Sequence, residues 1–268
     1  MIGVGGRSVH AVVQGEGPSV VLIHGASGNC RDFTFSLTRK LATTFQTVAF
    51  DRPGHGHSDR PAGAEDPAVQ ARLLCSAARK LGVERAIILG HSYGAAVALA
   101  WALEAPDMTA GVAVISGASH PWDGGLSPTY RLSTIPPFAY LLRRLAGKNQ
   151  TKIIQSIFAP GCAPKGYVDY IGVDLALRPT TFKANAKDVL ALHGYLEKQA
   201  PRYKEIHAPV EIIHGDQDTI VPADIHAARL VGDAPNANYH LINGAGHMPH
   251  HSHEADVMAA IHRLSAKI

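Results

Sequence analysis

The feature that most restricts the fold of this 268-residue chain is a series of short apolar runs, each ending at glycine or another turn former. Val20-Val21-Leu22-Ile23 gives way to His24-Gly25, Thr47-Val48-Ala49-Phe50 to Asp51-Arg52-Pro53-Gly54, and Ala86-Ile87-Ile88-Leu89 to Gly90-His91. Gly111-Val112-Ala113-Val114-Ile115 stops at Ser116-Gly117, Val210-Glu211-Ile212-Ile213 at His214-Gly215, and Tyr239-His240-Leu241-Ile242 at Asn243-Gly244. Continuous runs of this length suit strands buried on both faces. Between them lie stretches of helical period. Residues 67–81 carry Val69, Leu73, Leu74, Ala77 and Leu81 on one stripe, residues 93–104 are almost wholly apolar, and residues 223–230 and 254–264 add two more helices. This alternation predicts an α/β fold, a mainly parallel sheet with helices on both faces. Chemistry in such sheets gathers at the carboxyl ends of the strands. His24, Asp51, Ser92, Asp218 and His247 all follow predicted strands.

The rhythm breaks between residues 120 and 203, a stretch punctuated by Pro121, Pro128, Pro136, Pro137, Pro160, Pro164 and Pro179. Residues 140–146, 152–158, 167–177 and 182–199 read as helices, and side chains such as Ile153, Ile154, Ile157, Phe158 and Leu192 make the stretch too apolar for a disordered linker. The expected organisation is a core of residues 1–119 and 204–268, with residues 120–203 inserted as a helical cap over the strand ends. Apolar residues are 46% of the chain, enough for one large packed domain. A net charge of only +3 argues against a dedicated nucleic-acid binder, which would concentrate a basic face. No apolar run approaches the roughly 20 residues of a membrane span. The segment Met1 to Arg7 lacks the charged-then-apolar order of a signal peptide, and Cys30, Cys75 and Cys162 are odd in number and far apart, as reduced thiols would be. A cytoplasmic location is expected, although a first strand this near the amino terminus leaves room for a processed leader.

Gly90-His91-Ser92-Tyr93-Gly94 is a G-x-S-x-G sequence between a predicted strand and a predicted helix, the context in which that pattern makes a nucleophile. A serine on so sharp a turn is backbone-strained and needs small neighbours, which is the physical reason for Gly90 and Gly94. The turn exposes the Ser92 hydroxyl and aims the positive end of the next helix at it. A hydroxyl is a poor nucleophile until a base takes its proton. Among 16 histidines, His247 stands out: the glycines of Gly244-Ala245-Gly246 let a loop carry its ring over the strand ends. The base needs a carboxylate to fix its tautomer. Gly215-Asp216-Gln217-Asp218-Thr219-Ile220-Val221-Pro222 offers Asp218, with Asp216 as competitor, although an Asp beside Gly often caps a turn. Oxyanion donors are expected from the backbone N–H groups of Tyr93, directly after the nucleophile, and Ala26, in the loop after Ile23. His24 reads as a structural histidine bonding loop backbone.

Taken together, these segments resemble a capped member of the α/β-hydrolase superfamily. His24-Gly25-Ala26-Ser27-Gly28 is similar to its H-G-x oxyanion loop, and Asp51-Arg52-Pro53-Gly54-His55-Gly56-His57-Ser58 to its structural D-x-P-G-x-G-x-S loop. Gly90 to Gly94 matches its nucleophile elbow, Gly215 to Pro222 its G-x-x-D-x-x-V-P acid loop, and Gly244 to His247 its G-x-G-H loop. The resemblance spans about residues 20 to 250 and implies Ser92, Asp218 and His247 as the triad. Serine rather than aspartate at position 92 argues against haloalkane dehalogenases and soluble epoxide hydrolases of this fold. Ala26 where an H-G-G-G loop would have glycine argues against the hormone-sensitive-lipase-like branch. Tyr93 disfavours C–C bond hydrolases and perhydrolases, many of which carry Met there.

The expected activity is therefore hydrolysis of a small carboxylic ester through an acyl-enzyme, with no cofactor. C–C bond hydrolysis, lactone opening or perhydrolysis on the same triad are the alternatives, as is a non-catalytic ligand receptor on this fold. Phe138, Tyr140, Phe158 and Tyr167 are the candidate substrate-contacting residues of the cap. His247, His250, His251 and His253 invite a metal reading, but no Cys pair accompanies them. They are expected to be solvated histidines at the start of the last helix, with no metal. No G-x-G-x-x-G follows a strand, so no dinucleotide is implied. The oligomeric state is open.

Overall fold

The computed structural model describes residues 1–267. These residues form nine strands, with helices between successive strands from β4 onward: β1 (Ile2–Val4), β2 (Arg7–Val9), β3 (Ala11–Gln14), β4 (Ser19–Ile23), β5 (Gln46–Phe50), β6 (Ala86–His91), β7 (Thr109–Ile115), β8 (Val210–Gly215) and β9 (Ala237–Ile242). β1 and β2 form a separate antiparallel pair. The other seven make one sheet in the order β3-β5-β4-β6-β7-β8-β9, parallel throughout except for β3 at one edge. The apolar runs are the strands of this sheet, so the fold is the expected mainly parallel α/β architecture. β1 to β3 escape the pattern because they are three or four residues long and β3 is partly exposed. β9 is an edge strand of alternating burial, with Leu241 half exposed, and not a strand buried on both faces.

The core lies on both sides of the sheet because successive side chains of each strand point to opposite faces. Val21, Ile23, Val48, Ile88 and Val112 pack on one side with helices Pro67–Lys80 and Tyr93–Glu104. Val20, Leu22, Ala49, Leu89 and Ala113 pack on the other with helices Leu37–Leu41 and Glu254–Ser265. Asp66 starts the first of these helices by accepting the Ala68 N–H at 2.8 Å, ahead of Pro67.

Between β7 and β8 come helices Pro128–Leu132, Pro136–Lys148, Gln150–Ile157, Tyr167–Tyr170, Val173–Ala176 and Pro179–Gln199. Three of them open on proline at the first helical position, where its missing N–H is not needed. The helix expected over 167–177 is broken at Gly172, whose φ of 67° is left-handed. The 21-residue helix Pro179–Gln199 begins among the inserted helices and ends in the main core, where Leu192 and Leu196 are buried.

Candidate active site

Strand β6 delivers Ser92 directly past its end, with φ 54° and ψ −119°. Few non-glycine residues hold this conformation without strain. Strand β7, the loop after it and the following helix hold it: the Ser92 N–H donates to the Ile115 carbonyl (3.0 Å), and the Ser92 carbonyl accepts from Ala95 and Ala118 (both 3.1 Å). A Cβ at Gly90 would strike the backbone of Gly94 and Ala95, and one at Gly94 the carbonyls of Ile23 and His24. The elbow glycines are therefore needed for close backbone packing.

His247 reaches the same place from the loop after β9. Its Nδ1–H donates to Asp218 Oδ2 at 2.8 Å. Asp218 is fixed in turn: Oδ1 accepts the N–H groups of Ile220 (2.9 Å) and Val221 (3.0 Å), and Oδ2 also faces His214 Nε2 at 3.2 Å. Burial pushes the Asp218 carboxyl up, but the hydrogen bonds from His214 and His247 outweigh it and hold the group well below the usual carboxylate range. Asp216 does something else. It is exposed, and its Oδ1 accepts the Gly244 N–H at 2.7 Å, tying the acid loop to the histidine loop. His91 adds a brace from the elbow, its Nε2–H donating to the His247 carbonyl at 3.0 Å.

The loop after β4 carries Ala26 into the cavity wall beside Ser92, and Tyr93 opens the helix that follows the serine. His24 Nδ1–H donates to the Gly25 carbonyl (2.8 Å) and its Nε2 accepts the Arg52 N–H (2.9 Å). Burial and the nearby Arg52 charge push its pKa down to about 4, so the ring is neutral and structural. Arg52 is fully buried, donates to the carbonyls of His24 (2.9 Å) and Gly25 (3.2 Å), and lies over the Tyr93 ring at 4.3 Å. Its counter-charge is Asp188 of helix Pro179–Gln199, at 3.0 Å. From the same helix, Asn185 Oδ1 accepts the Ser27 N–H at 2.6 Å, where Ser27 takes a left-handed φ of 56°. Sequence reading missed both helix contacts. The available signal was an arginine and an aspartate at helix and loop positions that need partners once buried.

A cavity of about 400 Å³ joins these groups to the inserted helices. Ser92, His247, Ala26 and Asp32 line it from the core, and Ile153, Ile154, Ile157, Phe158, Tyr167, Leu177 and Phe182 from the insertion. Of the four cap aromatics expected to contact substrate, Phe158 and Tyr167 line this cavity. Phe138 and Tyr140 do not: they are 47% and 57% exposed and lie on the outer face of helix Pro136–Lys148, which presents the small Ala146 to the cavity. Aromatic identity alone does not report which way a helix faces.

The histidines after His247 also differ from expectation. His250 is fully buried and the His251 side chain 3% exposed, and both face Asp32 of helix Arg31–Thr34. They are packed rather than solvated because the short helix Pro249–Ser252 turns them inward, onto the buried Phe33 and Tyr167 rings.

A sequence profile described as the Alpha/beta hydrolase family matches residues 20–261. The 2-hydroxy-6-oxononadienedioate/2-hydroxy-6-oxononatrienedioate hydrolase 2 of Pseudomonas putida is 29% identical over 263 residues, 89% of this chain and 85% of that protein. The solved 2-hydroxy-6-oxo-6-phenylhexa-2,4-dienoate hydrolase of Rhodococcus sp. strain RHA1 has a TM-score of 0.80 at 23% identity, covering 97% of this chain and 96% of that one. An esterase from Rhodococcus sp. ECU1013 has a TM-score of 0.76 at 21% identity, covering 100% and 98%. Sheet order, elbow and profile agree: the chain is a hydrolase of the alpha/beta hydrolase family.

Proposed function

We propose that the protein is a serine hydrolase of neutral carboxylic esters with an apolar acyl or alkyl group. The carrying observation is the buried His247–Asp218 pair, at 2.8 Å, opening onto the cavity that holds Ser92. With its Nδ1 proton committed to Asp218, His247 presents the Nε2 lone pair to the cavity. In the proposed reaction Nε2 takes the Ser92 proton as Oγ attacks the ester carbonyl. The negative charge that develops on the carbonyl oxygen is met by the N–H groups of Ala26 and Tyr93, aided by the helix that starts at Tyr93. The imidazolium then protonates the leaving alcohol, and water repeats the sequence on the acyl-enzyme. Helices 128–199 act as the cap that shapes the pocket.

The pocket supports an ester over an anionic substrate. Among the described lining residues there is neither Lys nor Arg to pair with a substrate carboxylate. The Pseudomonas putida relative is named for a dicarboxylate substrate, so C–C bond hydrolysis is the second reading. A panel of p-nitrophenyl esters of increasing acyl length tests the proposal. It should give a burst of nitrophenol followed by steady turnover. Folded Ser92→Ala should lose on the order of 10⁶ in kcat. Near-native turnover by that variant, or turnover of a dienedioate with none of any ester, would overturn the reading.

A further inference from the structure

The proposed chemistry leaves one buried polar cluster unused. Asp32 Oδ1 lies 2.7 Å from the Tyr167 hydroxyl and 2.9 Å from His251 Nε2, and Oδ2 lies 3.2 Å from His250 Nε2. His91 adds a further nitrogen. Its Nδ1 is 3.7 Å from Asp32 Oδ2, is buried, and has no hydrogen-bond partner. The tautomer follows from its other nitrogen. Nε2 faces the His247 carbonyl at 3.0 Å, and a carbonyl only accepts, so the ring proton sits on Nε2 and Nδ1 offers a lone pair. A buried lone pair therefore faces a carboxylate oxygen beyond hydrogen-bond distance, an arrangement of two acceptors that suits a cation between them.

We infer that Asp32, His250 and His251, with His91 Nδ1 as the fourth donor, bind a divalent transition-metal ion of the zinc type. The spacing fits. Donors about 2.0 Å from a tetrahedral ion stand about 3.3 Å apart; Asp32 Oδ2 lies 3.2 Å from His250 and 3.7 Å from His91, Oδ1 lies 2.9 Å from His251, and one donor atom each of Asp32, His250 and His251 falls within 4.8 Å of the others. Imidazoles around a carboxylate favour such an ion over calcium or magnesium, which take oxygen ligands. On binding, His250 and His251 carry their protons on Nδ1, freeing Nε2 to ligate. Tyr167 keeps its hydrogen bond to Asp32 and orients the ligating carboxylate. The ligands come from helix Arg31–Thr34, the end of β6 and helix Pro249–Ser252, with Tyr167 from the insertion, so the ion would clasp segments distant in sequence. A second grouping, His10, Cys30 and Asp51, is less suited: the Asp51 oxygens already accept the N–H groups of Cys30 (2.7 Å) and His57 (2.9 Å), and only one imidazole is present.

The test uses the untagged full chain after chelator treatment, titrated with zinc by calorimetry and with cobalt by visible absorption. A single tight equivalent is expected, with intense cobalt d–d bands and a rise in Tm on zinc addition. Asp32→Asn and His250→Ala should each weaken zinc binding by on the order of 100-fold. His251→Gln, at the rim of the cluster, serves if either of those fails to fold. Ser92→Ala should bind zinc as the parent does, which separates this inference from the esterase reading. Binding no tighter than that of the Asp32→Asn/His250→Ala double variant would overturn the site. So would binding lost in Cys30→Ser but kept in the histidine variants.

Discussion

Replacing Asp218 by Asn tests the proposed triad most sharply, because the surrounding donors dictate which way the new amide turns. Asp218 Oδ1 holds the N–H groups of Ile220 and Val221, and an amide nitrogen there would oppose both. The Asn carbonyl must therefore keep that position, which puts its NH₂ where Oδ2 was, 2.8 Å from His247 Nδ1. Two N–H groups cannot face each other, so His247 moves its proton to Nε2 and Nδ1 becomes the acceptor. Nε2–H cannot take a proton from Ser92. The change is isosteric and most contacts survive, so the fold should persist while kcat falls by about 10⁴, or ~5.5 kcal/mol of transition-state stabilisation. Asp216→Asn is the matched control. Its Oδ1 can still accept the Gly244 N–H, so kcat should change by no more than about 2-fold. Steady-state hydrolysis of a p-nitrophenyl ester, with circular dichroism and thermal melts to confirm folding, reads both. A folded Asp218→Asn enzyme within 10-fold of the parent, or a larger loss in Asp216→Asn, would refute this account of the acid.

Three further outcomes are expected. Burial, ahead of neighbouring charges, holds His24 and His226 down at about 4 in the folded protein, against the ordinary histidine value of 6.5. With folded values depressed, the unfolded chain takes up these protons first as pH falls. Their stabilisation is therefore complete above pH 6.5 and is lost between 6.5 and 4, by up to about 3 kcal/mol each. An equal urea midpoint at pH 7 and pH 4.5 would contradict this. Ile154→Ala or Phe182→Ala should shift the ratio of long-chain to short-chain ester rates by on the order of 10-fold, and Tyr140→Ala should leave it alone; the reverse pattern would displace the pocket wall. Asn185→Ala removes the acceptor of the Ser27 N–H and should lower kcat about 10-fold with little change in KM or Tm. Unchanged kcat would leave Asn185 without a positioning role.

What the sequence discloses tracks how local the physics is. The elbow is legible because strand end, serine and two glycines are contiguous, and their steric demands fall within five residues. Asp218 and Asp216 differ over a similarly short stretch: two residues apart on the turn after Gly215, Asp218 faces the His247 ring and Asp216 the Gly244 N–H. Asp32 is not legible, because its partners His250 and His251 lie more than two hundred residues along the chain. Phe138 and Tyr140 mislead because a helix of mixed composition leaves its inward face to the packing. β9 misleads because Tyr239 and Leu241 suit a strand equally well at an edge or in the middle.

Helix Pro179–Gln199 has a consequence for how this scaffold can be remodelled. The other inserted helices could be exchanged as a module, with new segments recruiting new substrates over an unchanged core. This helix could not be exchanged with them. A chimera joined near residue 203 would remove Asp188 and leave Arg52 buried without its counter-ion, a loss of about 3–5 kcal/mol, and would remove Asn185 from the Ser27 turn as well. A graft confined to residues 128–177 would keep both contacts and leave the core loops as they are. Recombination within the family should therefore succeed at the second seam and fail at the first. The lineage's freedom to change its pocket stops at the helix on which the loop after β4 leans.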